Sequence, residues 1–532
     1  MINSSLIVAQ NTIGNLLNSA DAYNAYTLFT VRKNTYLIDN CGQVINAWSS
    51  EYEDGKSVYL LKDGSLLRAE RIDNEFISIP GIGGKVSIRD WENNTTWEYN
   101  FSEATFSQHH DVFPLPNGNI LVLLVELKTK NEAILAGRDP SNLITEELYN
   151  EKIIEIKPIG TNAIEIVWEW NIWDHLIQDF DNTKNNFGNV SQNPQLLDIN
   201  YLGFSNGNNN WMHVNSIQYN ESLDQIVLSA RQLNELYIID HSTTTEEAAT
   251  GAGGFSGKGG DILYRWGNPL AYKLGTESDQ KLFGQHFPHW IPDEYNDGGK
   301  LIVFNNGFPR TPNYSSVDII TPPQDQNGSY INSIGEKFGP LDFDWSYTDP
   351  IDQTDFYSRI LSSAQRLQNG NTLICEGVTG TFFEIDGNND IVWKYINPIS
   401  KNGILSQGDA PTDIETIFRA KKYSVDYEAF DGKDLTPGDP IELNFDLSNC
   451  EILSTSNINE LTQVIIPNPV NNELIINTNF NVEKVEVYNI QGKKVILENR
   501  KKSINFTKYS KGIYFVRVFT NKGIINKKII KI

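Results

Sequence analysis

A hairpin of apolar strand, turn and apolar strand ending in tryptophan comes back six times along this chain. The copies are YLIDNCGQVINAW to Trp48, VSIRDWENNTTWEY with Trp97, IIEIKPIGTNAIEIVWEW with Trp168 and Trp170, LYIID…GGDILYRW to Trp266, VDII…FDWSY with Trp345, and FFEIDGNNDIVWKY with Trp393. At least five are followed by a second hairpin: LLKDGSLLR, PLPNGNILVL, QYNESLDQIVLS, WIPDEYNDGGKLIVF and RLQNGNTLICEG. Short Asn-Gly or Asp-Gly type turns between alternating apolar residues specify strand, turn, strand. A sixth second hairpin, IFRAKKYSV, lacks a clear turn.

Four short strands per unit over six units describe a β-propeller. The expected fold is therefore all-β, a six-bladed propeller over residues 26–427. A tryptophan at one place in each unit reads first as packing between units. The largest insertions are Lys128–Asn150, Asn171–Asn210 and the Gly/Ala/Thr-rich Thr243–Gly260, the last read as a mobile loop. The best helical stretch, around Thr145–Lys152, is short.

The chain carries a net charge of −24, but from Gln463 onward 13 Lys and Arg stand against 4 Asp and Glu. An acidic body argues against nucleic acid as a partner, since phosphate neutralisation needs a basic surface. Cys41, Cys375 and Cys450 lie far apart with no metal-ligand spacing, and read as small buried residues. No apolar window reaches the length of a membrane span. The N-terminal segment 1–25 contains SLIVAQ, which has the form of the tail of a signal peptide cut near Ala9–Gln10.

After Tyr427 the repeat stops. Residues 428–462 read as a linker, and 463–532 as a small antiparallel β-sandwich. This tail resembles the C-terminal sorting domain of the type IX secretion system, through Pro467–Asn468–Pro469, the VYNIQGK turn ending at Lys493, Lys511–Gly512–Ile513–Tyr514–Phe515 and the lysine-rich end. The resemblance implies export by that machinery to the surface or exterior of a Gram-negative bacterium, the tail being removed or used for anchoring.

Five of the seven histidines fall just before these turn-bearing segments: His109 and His110, His213, and His286 and His289. Counted back from Leu115 and Ile291, His110 and His286 share an offset of five, and His213 precedes Tyr219 by six. The innermost strand of each propeller blade lines the channel, so His110, His213 and His286 should meet at one mouth. By strand alternation His109 and His289 should point into their blades. Three imidazoles suit Zn or Cu. Arg231, following the third of these hairpins, suits an oxyanion instead, because its planar fork binds tetrahedral oxyanions.

Residues 26–425 resemble the bacterial arylsulfate sulfotransferases, six-bladed propellers that move a sulfuryl group between phenols without a nucleotide cofactor. The motifs that carry the likeness are QHHD ending at Asp111, His213–Val214–Asn215–Ser216–Ile217 with Ser229–Ala230–Arg231, and Gly284–Gln285–His286. The resemblance implies that His286 is a nucleophile that becomes a sulfohistidine, with His110, His213, Asn215 and Arg231 around the sulfuryl group and no metal or other cofactor. Its partners would be a phenolic sulfate donor and a phenolic acceptor. Trp173, Phe187, Tyr201, Phe204 and Trp211 are candidates to hold the phenol. The N-terminal β-domain that supports dimerisation in some members has no counterpart in this chain, and neither does a cysteine pair near the site, so monomer and homodimer both stay open. Two rival readings use the same scaffold: a histidine-ligated metalloenzyme or quinoprotein, and a non-catalytic binder of glycan or protein. The sialidase-type Asp box is absent, which disfavours a glycosidase.

Overall fold

The computed structural model describes residues 11–331, 335–447, 450, 468–478, 480–489, 493–520 and 523–532. The chain divides into two compact units, Met1–Asp446 and Leu447–Ile532. The SLIVAQ segment, most of the second half of the expected linker, Pro467 and part of the VYNIQGK turn lie outside the described residues.

Six antiparallel sheets of four or more strands follow one another through the first unit. Sheet A joins Ala25–Val31, Asn34–Ile38 and Val44–Ser49 to Ala420–Ser424; sheet B is Glu53–Leu60, Leu66–Arg71, Gly84–Arg89 and Thr95–Asn100. Sheet C is Phe106–Pro114, Ile120–Thr129, Glu147–Ile159 and Ala163–Asn171. Sheet D is Val214–Asn220, Gln225–Ala230, Glu235–Asp240 and Tyr264–Trp266. Sheet E is His286–Trp290, Leu301–Asn305, Ser316–Ile320 and Trp345–Tyr347. Sheet F is Ser363–Arg366, Thr372–Glu376, Thr381–Ile385 and Ile391–Ile396, with Gly14–Asn18 as a fifth strand on its outer edge. The first strands of B to F pack each on the next, and that of F packs on Ala420–Ser424, so the sheets close into a propeller.

The closure explains the missing turn in IFRAKKYSV. Its strand Ala420–Ser424 pairs with Ala25–Val31 from the other end of the unit, so no hairpin is needed there. Each tryptophan hairpin supplies the outer half of the sheet begun by the hairpin before it. The indole N–H groups tie sheet to sheet: Trp48 donates to Asp90 O, Trp97 to Ala163 O, Trp170 to Gly260 O, Trp266 to Pro340 O and Trp393 to Asn40 O, all at 2.8–3.0 Å. The last bond spans the closure from F to A. Burying these indoles with their donors satisfied gives both the apolar gain and the spacing of the ring.

Four expectations are corrected. Thr145–Lys152 is no helix: Glu147–Ile159 is a strand that pairs with Ile120–Thr129 from Glu147 to Ile156, and cross-strand packing outweighs the local helical pattern. Thr243–Gly260 is held in place rather than loose. Thr244 caps the short helix Thr245–Ala248 with Glu247, Ser256 N–H donates to Asp240, and Gly260 O takes the Trp170 bond. Residues 11–25 and 428–446 belong to the propeller unit, where Ile13, Ala429, Phe430 and Ile441 are buried. The cysteines are buried as expected, but Cys41 and Cys450 are also disulfide-bonded and Cys375 alone is a free thiol.

The second unit pairs Glu473–Ile475 with Ser503–Asn505, and arranges Lys494–Asn499, Val482–Asn489, Gly512–Thr520 and Gly523–Lys531 in a second antiparallel sheet. Leu474, Ile504 and Phe506 share a core with Val485, Val487, Val516 and Val518, which makes the expected sandwich.

Candidate functional site

The inner strands of C, D and E each carry a bulge at the same level. In C the pairing jumps from Val112–Val122 to Gln108–Leu124, in D from Ile217–Leu228 to Val214–Ala230, and in E from His289–Ile302 to His286–Phe304. Left-handed backbone stands in or directly before each bulge: His110 at φ 52° and Phe287 at φ 55° within those of C and E, and His213 at φ 50° just before that of D. Non-glycine residues in that region are strained, and such strain collects at functional sites. A bulge re-aims the side chains on either side of it, which strict alternation does not allow for.

The bulges bring His110 and His213 together with ring centroids 4.6 Å apart. Phe418 lies beside both His110 and His286, at 6.1 and 6.4 Å. His109 is buried behind His110, its Nδ1 2.9 Å from the neighbour's Nδ1 and its Nε2 2.9 Å from Glu151. Asn210 donates to Nδ1 of His213 at 2.7 Å, which leaves the proton of that neutral ring on Nε2. Nδ1 of His286 lies 2.7 Å from Asn306 Oδ1, and the Leu361 N–H donates to its Nε2 at 3.2 Å. A side chain on Gly284 would meet Phe308 O at 3.2 Å and the Arg231 guanidinium and Phe204 ring at 3.8 Å, which places both groups next to the strand of His286. No hydrogen bond or ion pair of the Arg231 guanidinium is found among the described residues.

The electrostatics follow mainly from burial, since Glu151 is bonded to His109 and Asp111 to Arg419 rather than to the trio. Burial, and then Arg231, push His286 down to about 3 against the hydrogen bonds that Asn306 and the Gly284 backbone accept from the ring. His110 is held well below the usual histidine range by burial and then by His213, His109 and His286; His213 is held there by burial and then Arg231. Arg231 is itself lowered to about 10 by burial and then Arg359. Three neutral imidazoles around an unpaired guanidinium form a site short of one negative charge. Among the described residues, no group of three His, Cys, Asp or Glu is placed to hold a metal ion.

The expected trio His110, His213 and His286 and Arg231 thus converge. His109 backs the trio through His110, and half-buried His289 turns to the Phe287 carbonyl at 3.2 Å. Asn215 is buried and its amide nitrogen donates to Gln285 O at 2.9 Å, which fixes the residue before His286. Of the aromatic candidates, Phe204 comes beside Arg231 and pairs with Phe308 at 6.1 Å. Trp211 is core, donating to Tyr201 O, and Phe187 is exposed. Sequence reasoning passed over Asn306, the Leu361 amide and Arg419. Arg419 had a usable signal: it stands in IFRAKKYSV, whose strand closes the ring.

No curated protein matches the chain. Solved structures with similar folds include a protein of unknown function from Bacteroides caccae (10% identity, 75% of this chain and 98% of that chain, TM-score 0.40). Others are the Pseudomonas aeruginosa periplasmic gluconolactonase (8%, 75% and 99%, 0.38) and a catalytically inactive Staphylococcus aureus virginiamycin B lyase with quinupristin (11%, 72% and 88%, 0.32). Residues 464–532 match the secretion system C-terminal sorting domain, which marks the protein for secretion to the cell surface or beyond in a Bacteroidetes-type Gram-negative bacterium. The profile described as Arylsulfotransferase (ASST) matches residues 4–424, and with that span of its length the chain belongs to the arylsulfotransferase family.

Proposed function

We propose that this protein moves a sulfuryl group from a phenolic sulfate ester to a phenolic acceptor through a sulfohistidine on His286, in a ping-pong sequence without a nucleotide. The observation that carries the reading is the neutral imidazole of His286 beside Arg231, whose guanidinium has no anionic partner among the described residues. Neutral imidazole is a nucleophile at pH 7 without further activation.

In the first half-reaction the lone pair of His286 attacks sulfur and the ester S–O bond breaks, its electron pair leaving on the phenolate. The bound sulfate supplies the negative charge the site lacks, so His110 or His213 takes up a proton and passes it to the leaving oxygen. In the second half-reaction the same imidazole removes the acceptor's proton, the phenol oxygen attacks sulfur, and the N–S bond breaks. Sulfuryl transfer resembles phosphoryl transfer in its loose transition state, so positioning and charge stabilisation do most of the work. Arg231 supplies charge at the sulfuryl oxygens; Asn215 holds the strand that carries the nucleophile.

Incubation with p-nitrophenyl sulfate and phenol should release nitrophenol, and His286→Asn should abolish release while circular dichroism stays unchanged. Mass spectrometry of protein trapped with donor alone should find one sulfuryl group on His286. Wild-type protein that releases nothing from several aryl sulfates would favour the non-catalytic binder.

A further inference from the structure

Every donor and acceptor around Asn306 is determined. Its side chain is buried, and its Nδ2 donates to two carbonyls, Ser358 O at 2.7 Å and Leu361 O at 2.9 Å. Two carbonyl partners fix which end of the amide is nitrogen, so Oδ1 faces Nδ1 of His286. An amide oxygen only accepts; Nδ1 must therefore carry the proton. Nε2 is left with its lone pair, and the Leu361 N–H points at it. The backbone that aims this N–H is held in an unusual state, with Leu361 at φ 60° and Ser362 at φ 86°, both left-handed. Ser358 is braced further by Ser315 and Ser362, at 2.9 and 2.8 Å. One side chain thus orients both the ring and the segment that caps it.

We propose that Asn306 is a positioning residue that locks His286 as the Nδ1–H tautomer, and that the Leu361 amide passes from Nε2 to a sulfuryl oxygen as the N–S bond forms. The inference rests on His286 being the nucleophile. A free histidine side chain favours the Nε2–H tautomer, in which Nε2 has no lone pair to give. The lock reverses that preference before substrate arrives. When Nε2 bonds to sulfur the ring keeps its Nδ1 proton and becomes cationic, and the Asn306 oxygen then accepts a stronger, charge-assisted bond. The Leu361 N–H loses its acceptor at the same moment. The sulfuryl oxygens arrive next to it, so the amide becomes a donor made in the transition state, where such donors act most strongly.

The test uses full-length protein with 15N-labelled histidine, the His286 signals being assigned by their loss in His286→Asn. In wild type the His286 ring should show protonated Nδ1 and bare Nε2. Asn306→Ala should move it toward Nε2–H and slow the nitrophenol burst by about 100-fold, with donor KM changed far less. Asn306→Asp keeps an acceptor facing Nδ1. It should retain the tautomer, recover at least about tenfold of the lost burst rate, and raise the midpoint of the acid limb, since a carboxylate favours the cationic ring. In full-length protein labelled instead with 15N-leucine, the Leu361 amide resonance, assigned by its loss in Leu361→Ile, should shift when the protein is trapped with donor. A folded Asn306→Ala protein that keeps Nδ1–H, or an Asn306→Asp protein that keeps it without regaining rate, overturns the lock; an unmoved Leu361 amide overturns the relay. Tautomers are read on resting protein, so failure of wild type to take a sulfuryl group on His286 sinks the nucleophile assignment separately.

Discussion

Arg419 and Asp111 meet beneath the histidines, Nη2 donating to Oδ2 at 3.0 Å and Nη1 to Oδ1 at 3.3 Å. Both are buried, and Tyr59 joins them, its hydroxyl 2.7 Å from Nη1. Asp111 also accepts from the Ile217 N–H at 3.1 Å. One carboxylate thereby joins sheets A, B, C and D. The guanidinium also lies 3.7 Å from the ring centre of Phe287, the strained residue after His286.

Breaking that pair from one side strands a buried charge. Asp111→Asn should lower unfolding free energy by about 3–5 kcal/mol, read as a fall in the urea midpoint. The paired change Asp111→Leu with Arg419→Met removes both charges and should recover most of the loss. Equal loss in the single and double variants would show that the ion pair is not what holds the sheets.

Arg231 should behave in the opposite way. Its guanidinium has no partner to leave unsatisfied, so Arg231→Ala should leave the melting temperature within a degree or two of wild type. Turnover should fall by about 100- to 1,000-fold, the cost of one well-placed donor to a developing charge. Arg231→Lys should rescue only part, because an ammonium cannot reproduce the fork. A large drop in stability with turnover intact would make the residue structural.

The fold was legible because propeller sheets repeat: one tryptophan and one tight turn per sheet survive insertions of any length. The convergence of His110, His213 and His286 was legible for the same reason, since equivalent strands put equivalent positions at one ring. Local signals failed where pairing decided the outcome, as at Glu147–Ile159. Alternation assigned His109 away from the site, and it does lie behind His110, bonded to it and to Glu151. The bulges were invisible because no sequence rule marks left-handed backbone at a histidine or phenylalanine. Asn306 and Arg419 were missed because their partners lie far along the chain, in Leu361 and Asp111.

Phe204 and Phe308 pair edge to face at 6.1 Å on the side of Gly284 next to Arg231, and both are half-exposed. An aryl group held there would have its ester oxygen directed to the guanidinium. Phe204→Ala should raise KM for p-nitrophenyl sulfate about tenfold, the scale of one lost aromatic contact, with much smaller change in the maximal burst. Unchanged KM for every phenol tried would place the aryl group elsewhere.

The depressed histidines set the sign of the pH response. In the unfolded chain His286, His110 and His213 titrate near about 6.5, whereas folded His286 is lowered to about 3 and the others well below their usual range. Below about 6.5 the unfolded chain takes up protons that the folded one refuses, so stability falls as pH drops from there toward 3. His241 works the other way: its Nδ1 and Nε2 lie 2.7 Å from Asp224 and 2.9 Å from Glu155, and these bonds raise it despite burial. Its contribution is full below about 6.5 and is lost as pH rises through its folded value. Urea unfolding between about pH 5 and 8 should therefore show a smaller acid loss in His286→Asn than in wild type. If His286 is the nucleophile proposed above, the burst with p-nitrophenyl sulfate should stay level over the same range, because its imidazole is neutral throughout. An acid limb with its midpoint near about 6.5 would mean that His286 titrates as a solvated imidazole, and that the site does not hold it neutral.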